Sequence, residues 1–424
     1  MQTLKLSIAS LARSQIWYVP VLAGAMLLMM ARPLLVARVF AAEEFAAYSL
    51  GLLISSTFCM LGCMGLQSIL QRKMPMDFLS GDEKSAFVLL FQCIVIAFIC
   101  LLVTFIVPVI GYSAVGLSAT GILLALIHGL SQQIFLLVAT ESRSRVESLR
   151  FSKQNLARAV MVFTAAGVVA FYSQSAVAVL LIEAVISFLI SFYILGHSLA
   201  RANFPWMELF KSAVFNLAAL PWRSAMAFLG VMFVGFFLFN ADRWLAASVL
   251  SSESFAVYAF GWVLLAAAQS VQVIINSSVY PHAARLYSGK GESVTFRFIC
   301  VLAGGGLLAG IMAAWPAHYL IGALVSKWFP EYEEIALLMP YFILAGILRV
   351  GDFWSSYLMI VGKESLLLKV NILAAVAGVV AWWVLVQWLL PSRDTIVAVA
   401  YLALILSLVK YMFVFIWSIR CRRG

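Results

Sequence analysis

The sequence predicts an all-α, polytopic membrane protein of about twelve transmembrane helices, arranged as two parallel six-helix repeats facing a central cavity. Three observations lead there: an extreme apolar composition, a succession of unbroken apolar runs, and an internal repeat at half the chain length. Of the 424 residues, 64% are hydrophobic and 11% charged, with a mean hydropathy of +1.04, against about a quarter charged in an ordinary soluble domain. Apolar runs of roughly 20 residues or more each cross a hydrocarbon layer of about 30 Å as a helix. A helix is the natural form for such a run, because it satisfies its own backbone amides where lipid offers no partner.

The runs place spans near Ile16 to Phe40, Phe45 to Leu70, Ala86 to Val107, Val115 to Thr140, Leu156 to Tyr172 and Ala176 to Leu199. A second series follows near Pro221 to Asn240, Phe255 to Tyr280, Val294 to Trp315, Ile335 to Val361, Leu366 to Leu390 and Thr395 to Ile419. The apolar stretch behind Lys5 and Arg13 far exceeds a signal-peptide core of about 7–15 residues and reads as the first span. All but six of the 28 Lys and Arg residues fall inside, or toward the cytoplasmic side, when both termini are placed in the cytoplasm. That satisfies the rule that short cytoplasmic loops retain basic residues. The net charge of +10 is thus a topology signal, and nucleic acid is not an expected partner.

The repeat appears when the chain is shifted by 210 positions. Arg13 to Gly51 then aligns with Arg223 to Gly261 without a gap and with 13 identical pairs, among them Arg13 with Arg223, Glu43 with Glu253, Tyr48 with Tyr258 and Gly51 with Gly261. Each half is one unit of six spans, an even number, so both enter the membrane from the same side as parallel repeats. The expected division is residues 1–199, a cytoplasmic interfacial linker at 200–213 carrying Arg201, Pro205, Trp206, Glu208 and Lys211, and residues 214–424.

Several polar residues inside spans are candidate site residues. Arg349 and Asp352 lie about one helical turn apart in the tenth span, as an ion pair that either lines a cavity or locks packing. Gln269, Gln272 and Asn276 form one polar stripe on the eighth span, suited to sugar hydroxyls or to interhelical hydrogen bonds. Glu183 reads as a lone buried carboxylate in the sixth span, able to load a proton for ion coupling or to donate a hydrogen bond. Arg32, Arg38 and Arg243 are a candidate outer cationic rim, or simple interfacial anchors. Arg13-Ser14 and Arg223-Ser224 recur at the cytoplasmic start of each half, as a candidate bidentate gate for an oxyanion or as topological anchors. The six cysteines read as apolar packing residues, and His128, His197, His282 and His318 are scattered, so neither a metal site nor a cofactor is expected. No phosphate-binding glycine loop exists: "SGKGES" at Ser288 to Ser293 has the wrong spacing. No catalytic residues and no enzymatic activity are expected.

The strings "VFAAEEFAAYSLG" (residues 39–51) and "VLSSESFAVYAFG" (249–261), with "VYPHAARL" (279–286) and "WFPEYEEIALLMPYFILAGIL" (328–348), resemble the polysaccharide-exporter branch of the multidrug/oligosaccharidyl-lipid/polysaccharide flippase superfamily. The likeness covers the whole chain. Ala41 and Ala42 stand where members of that family often carry Gly-Pro. The resemblance implies a flippase that moves an undecaprenyl-pyrophosphate-linked oligosaccharide across the bacterial inner membrane by alternating access, for O-antigen or related surface polysaccharide biosynthesis. It also implies membrane lipids and other polysaccharide-assembly membrane proteins as partners. The alternatives are a multidrug or cation antiporter of the same superfamily and a membrane-embedded glycan polymerase or ligase. The latter usually carries a large outer loop, and the loops here are short.

Overall fold

The computed structural model describes residues 2–106, 117–389 and 395–423; the side chains of residues 2–17, and of several positions between 271 and 288, lie outside the described set. Among the described residues the chain is helical, without strands. Among the described residues, eleven helical segments, with Ile335–Ile360 counted as one, are long and apolar enough to cross a membrane. A twelfth long helix, Ser252–Lys290, carries the expected eighth span and contains the undescribed side chains.

The chain forms two compact units, one of residues 1–40 and 47–233, the other of residues 41–46 and 234–424. In the first unit, α1 (Gln2–Val39) packs along α6 (Ser148–Ser173), and α5 (Ala119–Ser144) packs along α7 (Ala176–Ala202). The expected second span, Phe45 to Leu70, is in fact two helices, α2 (Ala42–Leu61) and α3 (Leu66–Ser80). Between them Met64 and Gly65 have φ of 51° and 78°, which ends one helix and re-aims the next. A Cβ on Gly65 would collide with the backbone of Ala225, so hydrophobicity alone could not reveal this break. Asp82 opens α4 (Glu83–Thr104) by accepting the Ser85 amide at 3.1 Å, and Ser118 opens α5 by accepting the Gly121 amide at 3.1 Å.

The linker forms α8 (Trp206–Phe215), which packs on α4. Leu209 and Ala213 are buried, while Trp206, Met207, Phe210 and Phe215 stay exposed. An apolar outer face of this kind suits a helix lying in the membrane interface. At the junctions of α4, α5, α6 and α7, basic and acidic residues knit together. Arg145 meets Glu141 at 2.6 Å and Glu83 at 2.9 Å, Arg150 meets Glu147 at 2.8 Å, and Arg201 meets Glu147 at 2.7 Å.

The second unit contains α9 (Trp222–Val249) from Val234 onward, α10 (Ser252–Lys290), α11 (Glu292–Trp328), α12 (Ile335–Val350), α13 (Trp354–Ile360), α14 (Glu364–Leu389) and α15 (Thr395–Arg423). α14 packs along α15, and α12 packs between α10 and α15. The expected tenth span is again two pieces, interrupted at residues 351–353. Asp352 there accepts the Ser355 amide at 3.3 Å and its hydroxyl at 2.9 Å, restarting the chain as α13. The repeat glycines both mark close helix crossings: a Cβ on Gly51 would lie 2.5 Å from Leu180, and one on Gly261 would strike Ile335 and Phe342.

Candidate functional site

Each unit buries a cluster of ionisable side chains, the costliest groups a membrane-spanning bundle can hold and therefore the first candidates for function. In the first unit the centre is Glu183 on α7, fully buried. One carboxylate oxygen accepts the Tyr48 hydroxyl at 2.8 Å. The other accepts Arg32 Nη1 at 2.7 Å and lies 3.0 Å from His128 Nε2. His128 Nδ1 sits 2.7 Å from the Ser55 hydroxyl, and the Gln132 amide nitrogen is 3.1 Å from Nε2. Arg158 stacks over Phe135 at 4.4 Å and donates from Nε to Ser187 at 3.3 Å.

This corrects two expectations. Glu183 is not a lone carboxylate, because α1, α2 and α5 each send it a donor. Arg32 is not on an outer rim: it is 6% exposed, since pairing inside the bundle replaces the water that snorkelling would have reached. Glu183 can only accept, so its contact assigns the neutral imidazole proton to Nε2 and leaves Nδ1 to accept from Ser55; the Gln132 amide nitrogen, itself a donor, then makes no hydrogen bond to Nε2. A second proton on Nδ1 reverses only the Ser55 bond, whose hydroxyl can turn from donor to acceptor. The cluster can therefore take up one proton without losing a hydrogen bond.

In the second unit the Tyr258 hydroxyl donates to Asp242 at 2.5 Å. Arg243 lies 3.7 Å over the Trp262 ring and donates to Asn240 at 3.3 Å. It is buried, so it too is absent from any outer rim. The expected Arg349–Asp352 pair does not form. Because α12 stops at Val350, Asp352 leaves the helical register and meets Lys410 at 2.9 Å, while Arg349 Nε donates to the Ser407 hydroxyl at 2.8 Å.

The polar stripe of α10 braces this break. Gln272 donates to the carbonyl of Asp352 at 3.1 Å, and Asn276 accepts from Ser356 at 3.1 Å. Gln269 is only partly buried, and its amide nitrogen has no partner. Arg38 and Arg223 are exposed; the side chain of Arg13 lies outside the described residues. Among the described residues no group of three or more His, Cys, Asp or Glu is placed to hold a metal ion.

Sequence reasoning missed Tyr48, His128, Asp242 and Lys410 as cluster members. The repeat carried the signal for two of them: the same shift of 210 that pairs Tyr48 with Tyr258 also lays Arg32 over Asp242.

No protein-family model matches the chain, and no curated protein does either. Solved structures do match, along nearly the whole length. One is the inward-facing conformation of a multidrug resistance MATE family transporter of the MOP superfamily, with a TM-score of 0.65 at 12% identity over 94% of this chain and 96% of that one. A mutant of a Vibrio cholerae MATE transporter matches with a TM-score of 0.64 at 14% identity over 99% and 98%. The chain shares their fold. A MOP superfamily transporter from Pyrococcus furiosus, described as having a binding pocket of reverse polarity that suggests a different function, matches with a TM-score of 0.60 at 13% identity over 97% and 95%.

Proposed function

We propose that this chain is a membrane transporter working by alternating access, of the multidrug-extrusion type, with the Arg32, Tyr48, His128 and Glu183 cluster as its proton-responsive element. The observation that carries the reading is the match of over nine-tenths of the chain to a multidrug resistance MATE family transporter in its inward-facing and outward-facing conformations, at identities where only the shared fold is expected to persist. The cluster supports the coupling: Glu183 is held by three donors from three other helices, so a proton arriving at His128 acts on four helices at once. The polysaccharide-branch resemblance finds less support, since the matching structures are MATE and other MOP superfamily transporters, a multidrug resistance transporter among them.

One feature favours a second reading on substrate charge. At the membrane level, buried Arg32 and Arg158 in one unit, and buried Arg243 and Arg349 with partly buried Lys410 in the other, outnumber the buried acids Glu183, Asp242 and Asp352. Such an interior favours an anionic amphiphile, a lipid-linked pyrophosphate included, over an organic cation. The test is transport by the purified chain in proteoliposomes under an imposed pH gradient, with a cationic dye and an anionic amphiphile offered separately. Gradient-driven movement of the cationic dye supports the first reading, and movement of the anionic amphiphile alone supports the second. Movement of neither, in vesicles shown to hold correctly folded protein, overturns both.

A further inference from the structure

Arg349 presents donors that nothing in the fold uses. Its side chain is 4% exposed and commits Nε to Ser407, yet Nη1 and Nη2 have no hydrogen-bond partner. Four N–H groups left unpaired at membrane depth carry a desolvation cost that structures ordinarily avoid. Arg349 lines a recess of ≈ 10 Å³ together with Lys410, Asp352, Ser407, Tyr411 and Phe239, room for about one water-sized occupant. Phe239 holds the two cations together, with Arg349 5.2 Å and Lys410 4.2 Å from its ring centre.

The remaining lining also offers hydrogens inward. The Tyr411 hydroxyl accepts from Trp354 Nε1 at 3.1 Å, which leaves its own O–H free to donate. The adverse group is Asp352, but its carboxylate is already taken by Lys410 and by the Ser355 amide and hydroxyl. Charge balance decides the nature of the occupant. The charged side chains that line the recess are Arg349 and Lys410 against Asp352, an excess of one positive charge. Asp242 acts on Arg349 through space without making an ion pair with it. Water in the recess would satisfy hydrogen bonds but leave the charge uncompensated, whereas a monovalent anion does both. Carboxylates and phosphates exceed the room available.

We propose that this recess is a binding site for one small monovalent inorganic anion of the halide class, held by the Arg349 terminal nitrogens, Lys410 and the Tyr411 hydroxyl. The site is independent of which substrate the protein moves.

The test is thermal unfolding of the purified full-length chain in detergent at constant ionic strength, in sodium chloride or bromide against sodium gluconate or phosphate. Both halides should raise the midpoint saturably, while gluconate and phosphate should not. Arg349→Gln should abolish the halide-dependent shift. Tyr411→Phe, which deletes one donor and leaves the cations in place, should raise the half-saturating halide concentration about tenfold, the loss of one hydrogen bond to a charged group; this variant carries the test if Arg349→Gln does not fold. Equal midpoints in halide and gluconate would mean a water-filled recess and overturn the proposal. So would a halide shift that is unchanged in the variants that fold.

Discussion

Replacing Glu183 by glutamine tests whether the first buried cluster is held by charge or merely by packing. The change keeps the volume but removes the negative charge, and its amide nitrogen turns a donor toward groups that are themselves donors: the Tyr48 hydroxyl at 2.8 Å, Arg32 at 2.7 Å and His128 at 3.0 Å. Arg32, 6% exposed, is then a buried cation without a counter-charge. Breaking a buried pair from one side costs about 3–5 kcal/mol, whereas removing both charges leaves no stranded ion and is often far less damaging. Arg32→Gln and Glu183→Gln should each lower the thermal midpoint strongly, and the double variant should recover much of the loss. The cycle should give a favourable pair coupling of about 2 kcal/mol or more, in the upper part of the range for directly contacting residues. Thermal unfolding in detergent at pH 7, followed by intrinsic fluorescence, reads all four proteins. If the double variant is as unstable as the sum of the singles, the pair is not coupled and the electrostatic account of this cluster is wrong.

Other consequences are equally open to measurement. Gly65→Ala should lower the yield of folded protein and its thermal midpoint, because the left-handed backbone alone costs roughly 1–2 kcal/mol and the added carbon meets the backbone of Ala225; a midpoint equal to wild type refutes this. Burial opposes ionisation of Glu147, but hydrogen bonds from Arg150 and Arg201 outweigh it and hold the carboxyl below its ordinary value of 4.5. Its stabilising contribution is therefore full above about pH 4.5 and lost as the pH falls through the lower folded value. Wild type and Glu147→Gln should differ in midpoint at pH 7 and converge in acid, so a constant gap would contradict the assignment. The Arg13→Lys, Arg223→Lys double variant keeps charge and topology but loses the guanidinium fork; unaltered transport of an anionic amphiphile at normal protein levels removes the proposed gate.

The sequence made the spans legible because hydrophobic length is the quantity the membrane selects. It did not make the two broken spans legible. The turn at Met64 and Gly65 is apolar in composition, and the interruption at Gly351 to Phe353 contains only one charged residue, so both pass as continuous helix on hydropathy. That second break is why helical spacing misled the pairing of Arg349 with Asp352: a periodicity argument holds only while the helix continues. Glu183 was legible as a buried acid, but its three donors come from α1, α2 and α5, far away in the chain, and no local pattern announces them.

At the position occupied by Arg32 in the first half the second half has Asp242, while Tyr48 and Tyr258 are retained at the matching site of the next helix. Both tyrosines are fully buried, and both donate to a carboxylate, Tyr48 to Glu183 and Tyr258 to Asp242. In the first half the carboxylate arrives from the sixth span and needs a cation on the first; in the second half the acid sits on the first span itself, with Arg243 beside it and Arg349 acting on it from α12. What the repeat preserves is thus the demand of a buried hydroxyl for an acceptor, which costs about 1–3 kcal/mol if unmet, and not the sign of the charge at any one position. A membrane bundle that fixes the donor can exchange acid for base at the neighbouring helix, provided the counter-charge is supplied from another. On this logic Tyr258→Phe should destabilise the second unit by an amount similar to that by which Tyr48→Phe destabilises the first, despite their opposite charged neighbours. Markedly unequal losses in thermal midpoint would show that the tyrosines answer to the local charges instead.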